Sequence, residues 1–351
     1  MPPQPRLLSL ATAVPAHRIR QDEIKAWARR FFNSHEGTSV ERLLPAFDNA
    51  GIATRYSCVP LDWFDSDHGW EAKNRLYVDN ATDLLERAAR EALERIALPA
   101  QAIDAVVTVS TSGIATPSLD ARLMGRLGLR PDVTRLPLFG LGCAGGVLGL
   151  ARAAELAAAR PGRHVLFLVV ELCGLTFRHA DRTKANIIAT ALFGDGAAAA
   201  VVGTAGDGEG PRLTGWGEHT WPDTLSVMGW TVENDGLGVL FSQDIPALVR
   251  REMRIATQAF LKARDATLED MVSFIVHPGG AKVVAALEES FGLDPGALVH
   301  ARGVLNDYGN MSAATVLFVL ERALAERRPG RALMSALGPG FTVGFVTLET
   351  P

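Results

Sequence analysis

Leu138-Phe139-Gly140-Leu141-Gly142-Cys143-Ala144-Gly145-Gly146 decides how the rest of the chain is read. An apolar segment, 136–141, ends there, and a helical pattern rich in small residues, 146–159, begins. This change of period marks a strand–turn–helix unit. A cysteine in the first turn of a helix faces orphan backbone N–H groups and the positive end of the helix dipole. Both lower a thiol pKa, and the thiolate is the nucleophile. The flanking glycines are expected to leave room for an acyl group and to let N–H groups approach it. The plainer alternative is a small buried cysteine at a tight junction.

Outward from this turn, strands are expected over 7–14, 105–109, 164–170 and 197–202, and helices over 21–32, 40–49, 81–97 and 119–127. Asn80 or Asp83 stands where the 81–97 helix would start. The apolar run at 164–170 suits a sheet buried on both faces. A Gly- and Asp-rich stretch, 203–211, is expected to separate two halves, 1–205 and 206–351. The second half predicts strands over 213–219, 224–228, 272–276, 332–337 and 342–348, and helices over 246–263, 282–289 and 311–326. Each half reads as strand–polar turn–helix followed by two apolar strands. The expected class is α/β, duplicated and layered with helices between sheets, although no repeat shows residue by residue.

Composition narrows the function. The 351 residues are 48% hydrophobic and 21% charged, as in an ordinary globular protein. A net charge of −4, with no basic run interleaved with aromatics, argues against a nucleic-acid partner. Cys58, Cys143 and Cys173 fit neither a disulfide framework nor a zinc site, so no metal is expected and a reducing, cytoplasmic location is. No apolar run approaches a membrane span, and 7–14 is short for a signal peptide.

Two further polar turns share the character of the first. His277-Pro278-Gly279-Gly280 ends the strand at 272–276, and Asn310 precedes the helical pattern at 311–326. In parallel-rich α/β folds such strand ends form the ligand crevice. A histidine there can hold the proton of a cysteine as a thiolate–imidazolium pair. The histidine and an asparagine amide can donate to a developing oxyanion or enolate. Helix capping is the ordinary alternative use of an asparagine.

Together with Leu192-Phe193-Gly194-Asp195-Gly196, Tyr308-Gly309-Asn310-Met311-Ser312 and Gly338-Pro339-Gly340-Phe341, these motifs resemble the type III polyketide synthases of the chalcone synthase superfamily, in order and over nearly the whole chain. The resemblance implies a thiolase-like fold, a homodimer and a Cys143–His277–Asn310 triad. It implies loading of an acyl-CoA on Cys143, decarboxylation of malonyl-CoA, Claisen condensation and cyclisation, with no cofactor beyond these CoA substrates. It places Thr111, Cys173, Thr176, Gly229, Val239 and Ser312 on the cavity wall and Phe193 at its gate. Val239 replaces a second gating phenylalanine, which implies a wider gate. Arg42, Arg55 and Lys282 are the candidates to meet CoA, although Arg55 also suits a structural role. Glu171 could hold a water or be a buried, paired carboxylate. The segments Leu61-Asp62-Trp63-Phe64, Gly69-Trp70-Glu71-Ala72-Lys73-Asn74 and Met228-Gly229-Trp230 resemble bacterial enzymes that make alkylpyrones and alkylresorcinols, which implies a fatty acyl starter. An initiating ketoacyl-acyl carrier protein synthase, performing one condensation, is the nearest alternative. The residues after His277 and the Gly338-Pro339-Gly340 turn argue against it.

Overall fold

Long apolar runs in a chain of this composition bury their backbone by pairing with one another, and here most pair into a single sheet. The computed structural model describes residues 4–33, 40–204 and 210–351. Its strands are β1 (Arg6–Ala13), β2 (His17–Arg20), β3 (Thr54–Ser57), β4 (Ile103–Val109), β5 (Thr134–Leu138), β6 (His164–Leu172), β7 (Asp195–Gly203), β8 (Arg212–Thr220), β9 (Met228–Glu233), β10 (Gly236–Phe241), β11 (Met271–Val276), β12 (Gly330–Gly338) and β13 (Thr342–Thr350). Its helices are α1 (Gln21–Asn33), α2 (Pro45–Asp48), α3 (Trp70–Glu94), α4 (Leu119–Leu127), α5 (Gly145–Ala159), α6 (Lys184–Leu192), α7 (Ile245–Lys262), α8 (Ala281–Phe291), α9 (Val299–Tyr308) and α10 (Thr315–Ala325).

Nine strands form one sheet in the order β11-β12-β13-β8-β1-β7-β6-β4-β5. The duplication is explicit in this order. In the first half β4 runs parallel to β6, which pairs antiparallel with β7, and β7 with β1. In the second half β11 runs parallel to β12, which pairs antiparallel with β13, and β13 with β8. The halves join where Arg6 of β1 pairs with Arg212 of β8. β5 is the extra edge strand of the first half.

The turns repeat as well. A 3-10 turn, Gly142–Ala144, leads into α5, and a second, Ser312–Ala314, leads into α10. Gly142 and Ser312 open them with φ of +46° and +47°. Helix α5 packs on strands of both halves. It can do so because a Cβ on Gly146 would fall 2.2 Å from the Ala313 carbonyl oxygen. The glycines after Cys143 therefore serve packing between the repeats, not room for an acyl group.

Most of the expected elements lie where the sequence places them, with four differences, and β2, β3, β10, α6 and α9 stand where no element was expected. Over 40–49 the helix breaks into the 3-10 turn Val40–Arg42 and α2, since Pro45 fits a helix start and not its interior. Helix α3 starts at Trp70, ahead of the expected 81, and Asn80 bonds to Leu76 O within it rather than capping it. Residues 224–227 form no strand, 225–227 being a turn, and the strand begins at Met228. Helix α10 begins at Thr315, after the 3-10 turn. The expected boundary at 205/206 lies outside the described residues. Among those described, no helix is long and apolar enough to cross a membrane, and no group of three His, Cys, Asp or Glu side chains is placed to hold a metal ion.

Candidate active site

Cys143 sits in the middle of the 3-10 turn before α5 and is 8% exposed. The turn is pinned from both sides. A Cβ on Gly142 would lie 2.5 Å from Pro339 Cδ, and one on Gly338 would lie 2.4 Å from Leu141 O. The thiol donates to Ser312 Oγ at 3.5 Å, so the second copy of the turn supplies the first partner of the sulfur. Burial pushes the Cys143 thiol up to about 12, with the Ser312 hydrogen bond opposing that rise. This reverses the expectation of a lowered pKa. Desolvation of a thiolate outweighs the few partial charges at the start of the helix.

His277 follows β11, and its N–H donates to Ser335 O at 2.9 Å. Its ring is buried, and among the described residues neither ring nitrogen has a hydrogen-bond partner. Burial lowers its pKa to about 3, so the ring is neutral. The Asn310 amide is fixed at both ends: Oδ1 accepts from Ser312 N–H at 2.8 Å and Nδ2 donates to Gly279 O at 3.1 Å. That geometry leaves the second Nδ2 hydrogen for another acceptor. The expected alternative, a helix cap, is not realised: the turn and α10 are capped by Met311 and Ala314, and the Asn310 side chain makes a local bond to Ser312 instead. Leu192 O and Gly194 N–H hold the Asn310 backbone at 2.8 and 3.0 Å, tying it to the Phe193 turn.

Cys143, His277 and Asn310 line one cavity of about 470 Å³, whose remaining wall includes Met228, Phe241, Ile245, Met253, Val283 and Leu287. A second cavity of about 370 Å³ shares Cys143 and is lined by Phe193, Gly229, Trp230, Val239 and Ser312. Three turns far apart in sequence therefore line one cavity: those of Cys143 and His277 follow strands, as expected, whereas that of Asn310 follows helix α9. The profile of the chalcone and stilbene synthase N-terminal domain matches residues 4–206, and that of the C-terminal domain matches residues 217–350. The chain belongs to the chalcone and stilbene synthase family.

It is 38% identical over 351 residues to a putative chalcone synthase of Bacillus subtilis (strain 168), covering 96% of both chains. It is 37% identical over 347 residues to a 1,3,6,8-tetrahydroxynaphthalene synthase of Streptomyces peucetius subsp. caesius, covering 96% of this chain and 91% of that one. The crystal structure of the 1,3,6,8-tetrahydroxynaphthalene synthase of Streptomyces coelicolor A3(2) superposes with a TM-score of 0.93 at 29% identity, over 98% of this chain and 99% of that one. The protein is a type III polyketide synthase with a thiolase-like fold, a decarboxylating condensing acyltransferase.

Within this chalcone synthase-like frame the remaining expected residues separate. Cys173 and Thr176 line a further cavity of about 550 Å³ with Phe193, Trp27, Phe64 and Phe177. Phe193 is thus a wall common to this chamber and to one at Cys143. Thr111 stands behind the Cys143 turn, with Oγ1 accepting from Gly142 N–H at 3.2 Å. Glu171 is buried with no cation beside it among the described residues, and accepts from Thr111 N–H at 3.0 Å and Ser112 N–H at 2.9 Å. Burial raises it to about 7, which those hydrogen bonds oppose.

Val239 lines the second cavity among aromatic rings: Phe241, two residues on, has its ring 5.9 Å from Phe193, and Trp230 lies 6.1 Å from Phe193. Sequence reading missed Phe241 because position-by-position matching looks only at 239. Alternation along β10 offered the signal, since 239 and 241 share a face.

Arg55 is not at a CoA entrance. It is 4% exposed and donates to Thr190 O at 2.8 Å, Phe193 O and Ala191 O at 2.6 Å each, and to Gln21 Oε1. Burial lowers it to about 9, and Asp195 opposes that. Its guanidinium caps the carbonyl end of α6, where cations are favoured. Arg42 and Lys282 are both exposed, at the end of the 3-10 turn Val40–Arg42 and in the first turn of α8.

Proposed function

We propose that this type III polyketide synthase loads a fatty acyl group from its CoA ester onto Cys143, extends it with malonyl-CoA and closes the product as an alkylpyrone or alkylresorcinol. The observation that carries the chemistry is the buried, unpartnered imidazole of His277 in one cavity with a thiol and a half-satisfied carboxamide. An unsatisfied buried polar group costs about 1–3 kcal/mol, which a substrate oxygen can return. Cys143 gives its proton to His277 as sulfur attacks the starter thioester. CoA leaves as the acyl-enzyme forms. When malonyl-CoA loses CO₂, His277 and the free Asn310 N–H donate to the enolate oxygen. The enolate carbon then attacks the Cys143 thioester and releases the sulfur. Arg42 and Lys282 are the cations proposed to meet the CoA phosphates.

The starter assignment is supported by apolar walls, aliphatic around the triad and partly aromatic beyond Phe193. Ile245, Met253, Val283 and Leu287 surround the triad cavity, and the chamber beyond Phe193 is walled by Ile24, Trp27, Leu61 and Phe64. Each methylene buried there is worth about 0.8 kcal/mol. A compact tetrahydroxynaphthalene, the product named for two relatives, is the second reading, and the 37% identity favours it. Mass spectrometry separates the two. The enzyme is supplied with malonyl-CoA alone and then with acyl-CoA esters of increasing length. Tailed products whose yield rises with starter length support the fatty starter. A fused-ring product from malonyl-CoA alone, unchanged by added acyl-CoA, overturns it. The CoA substrates and three free cysteines fit a cytoplasmic setting. A homodimer is proposed through the exposed edge of β5, beside which Phe139 is 60% exposed.

A further inference from the structure

The β9–β10 hairpin stands outside the nine-stranded sheet as a ladder of its own, paired from Met228–Phe241 to Glu233–Gly236. Its base supplies Met228, Gly229, Trp230, Val239, Leu240 and Phe241 to the cavity at Cys143. No strand of the main sheet pairs with it, so the height of this wall depends on what secures its far end.

That end, the turn at Asp235 and Gly236, is held by two cations from the first half of the chain. Lys73 of α3 is 6% exposed, and its Nζ donates to Asp235 O at 3.1 Å and Phe177 O at 2.8 Å. Arg178 donates from Nε to the Asp235 carboxylate at 2.7 Å and from Nη1 to Asp181 at 3.1 Å. A buried ammonium persists only where acceptors replace its water, and an arginine–carboxylate bond adds directional hold. Neither cation lines the cavities at Cys143.

We propose that Lys73 and Arg178 are positioning residues that set the length of the chain the enzyme builds, by latching the hairpin turn and so fixing the wall opposite Cys143. Loading and decarboxylation at the sulfur do not need them. The space left for the growing chain does. The proposal rests on the family's condensing activity and is independent of which starter is native.

The test compares Asp235→Asn, Arg178→Lys and Lys73→Met with the wild type. Loading is read as single-turnover release of CoA from the starter, and products are sized by mass spectrometry. Loading is expected to stay within about twofold of wild type. The ratio of over-extended to native product is expected to rise about tenfold in Asp235→Asn, the scale of one charge-assisted hydrogen bond, and less in Arg178→Lys. An unchanged product ratio in a folded variant that loads normally overturns the proposal. So does a parallel fall in loading and in every product, the mark of a merely structural support. If Lys73→Met does not fold, Asp235→Asn decides, because it keeps the backbone acceptor of Lys73.

Discussion

At the sulfur of Cys143 two tendencies oppose each other, and burial wins. The start of a helix offers partial positive charge worth at most about 2 kcal/mol. Taking a thiolate out of water costs more, and the thiol rises to about 12. His277, with no partner at either nitrogen, falls to about 3. The resting couple is a neutral thiol and a neutral imidazole. For an acid whose pKa lies above the working range, the reactive anion grows about tenfold per pH unit throughout it. Alkylation of Cys143 by iodoacetamide should therefore climb steadily from about pH 7 to 10, with no plateau near neutrality. Peptide mapping of the labelled site checks this. A rate already flat below pH 7 would show a preformed ion pair and sink this description of the resting state.

At the scale of elements, α6 shows how the site is held from a distance. Arg55 gathers three carbonyls at the end of that helix, and the next residues, Phe193 and Gly194, pair with Asn310. Arg55→Met strips the donor from a set of buried acceptors, each costing about 1–3 kcal/mol when unmet, so a loss of roughly 3–5 kcal/mol in denaturant unfolding is expected. A soluble, equally stable variant with only a raised KM for acyl-CoA would restore the CoA-contact assignment. The sequence offered Arg55 both as a cation to meet CoA and as a structural residue. It could not show that the side chain turns inward, because that depends on where α6 ends. The same limit applies to Phe241 and to the start of α3. The strands and the Cys143, His277 and Asn310 turns were legible because period, glycine and proline report local geometry directly. Closures between distant segments, such as Lys73 onto the β9–β10 turn, leave no local trace.

At the scale of the molecule, β5 ends the sheet with an open hydrogen-bonding edge. Phe139, directly after β5, is 60% exposed. Open edges with apolar neighbours pair with another chain or aggregate. Phe139→Arg is expected to convert the proposed dimer to a monomer in sedimentation experiments while leaving the fold intact by circular dichroism. A wild-type chain that sediments as a monomer would remove the dimer proposal altogether.

The doubled strand order carries one more consequence. The sulfur belongs to one copy of the repeat, and the imidazole and carboxamide belong to the other, with the seam at the Arg6–Arg212 pairing. A gene split in the connection from β7 to β8 would put the sulfur on one polypeptide and its two polar companions on the other. Neither fragment alone would hold the full set, so turnover is expected only when both are present together.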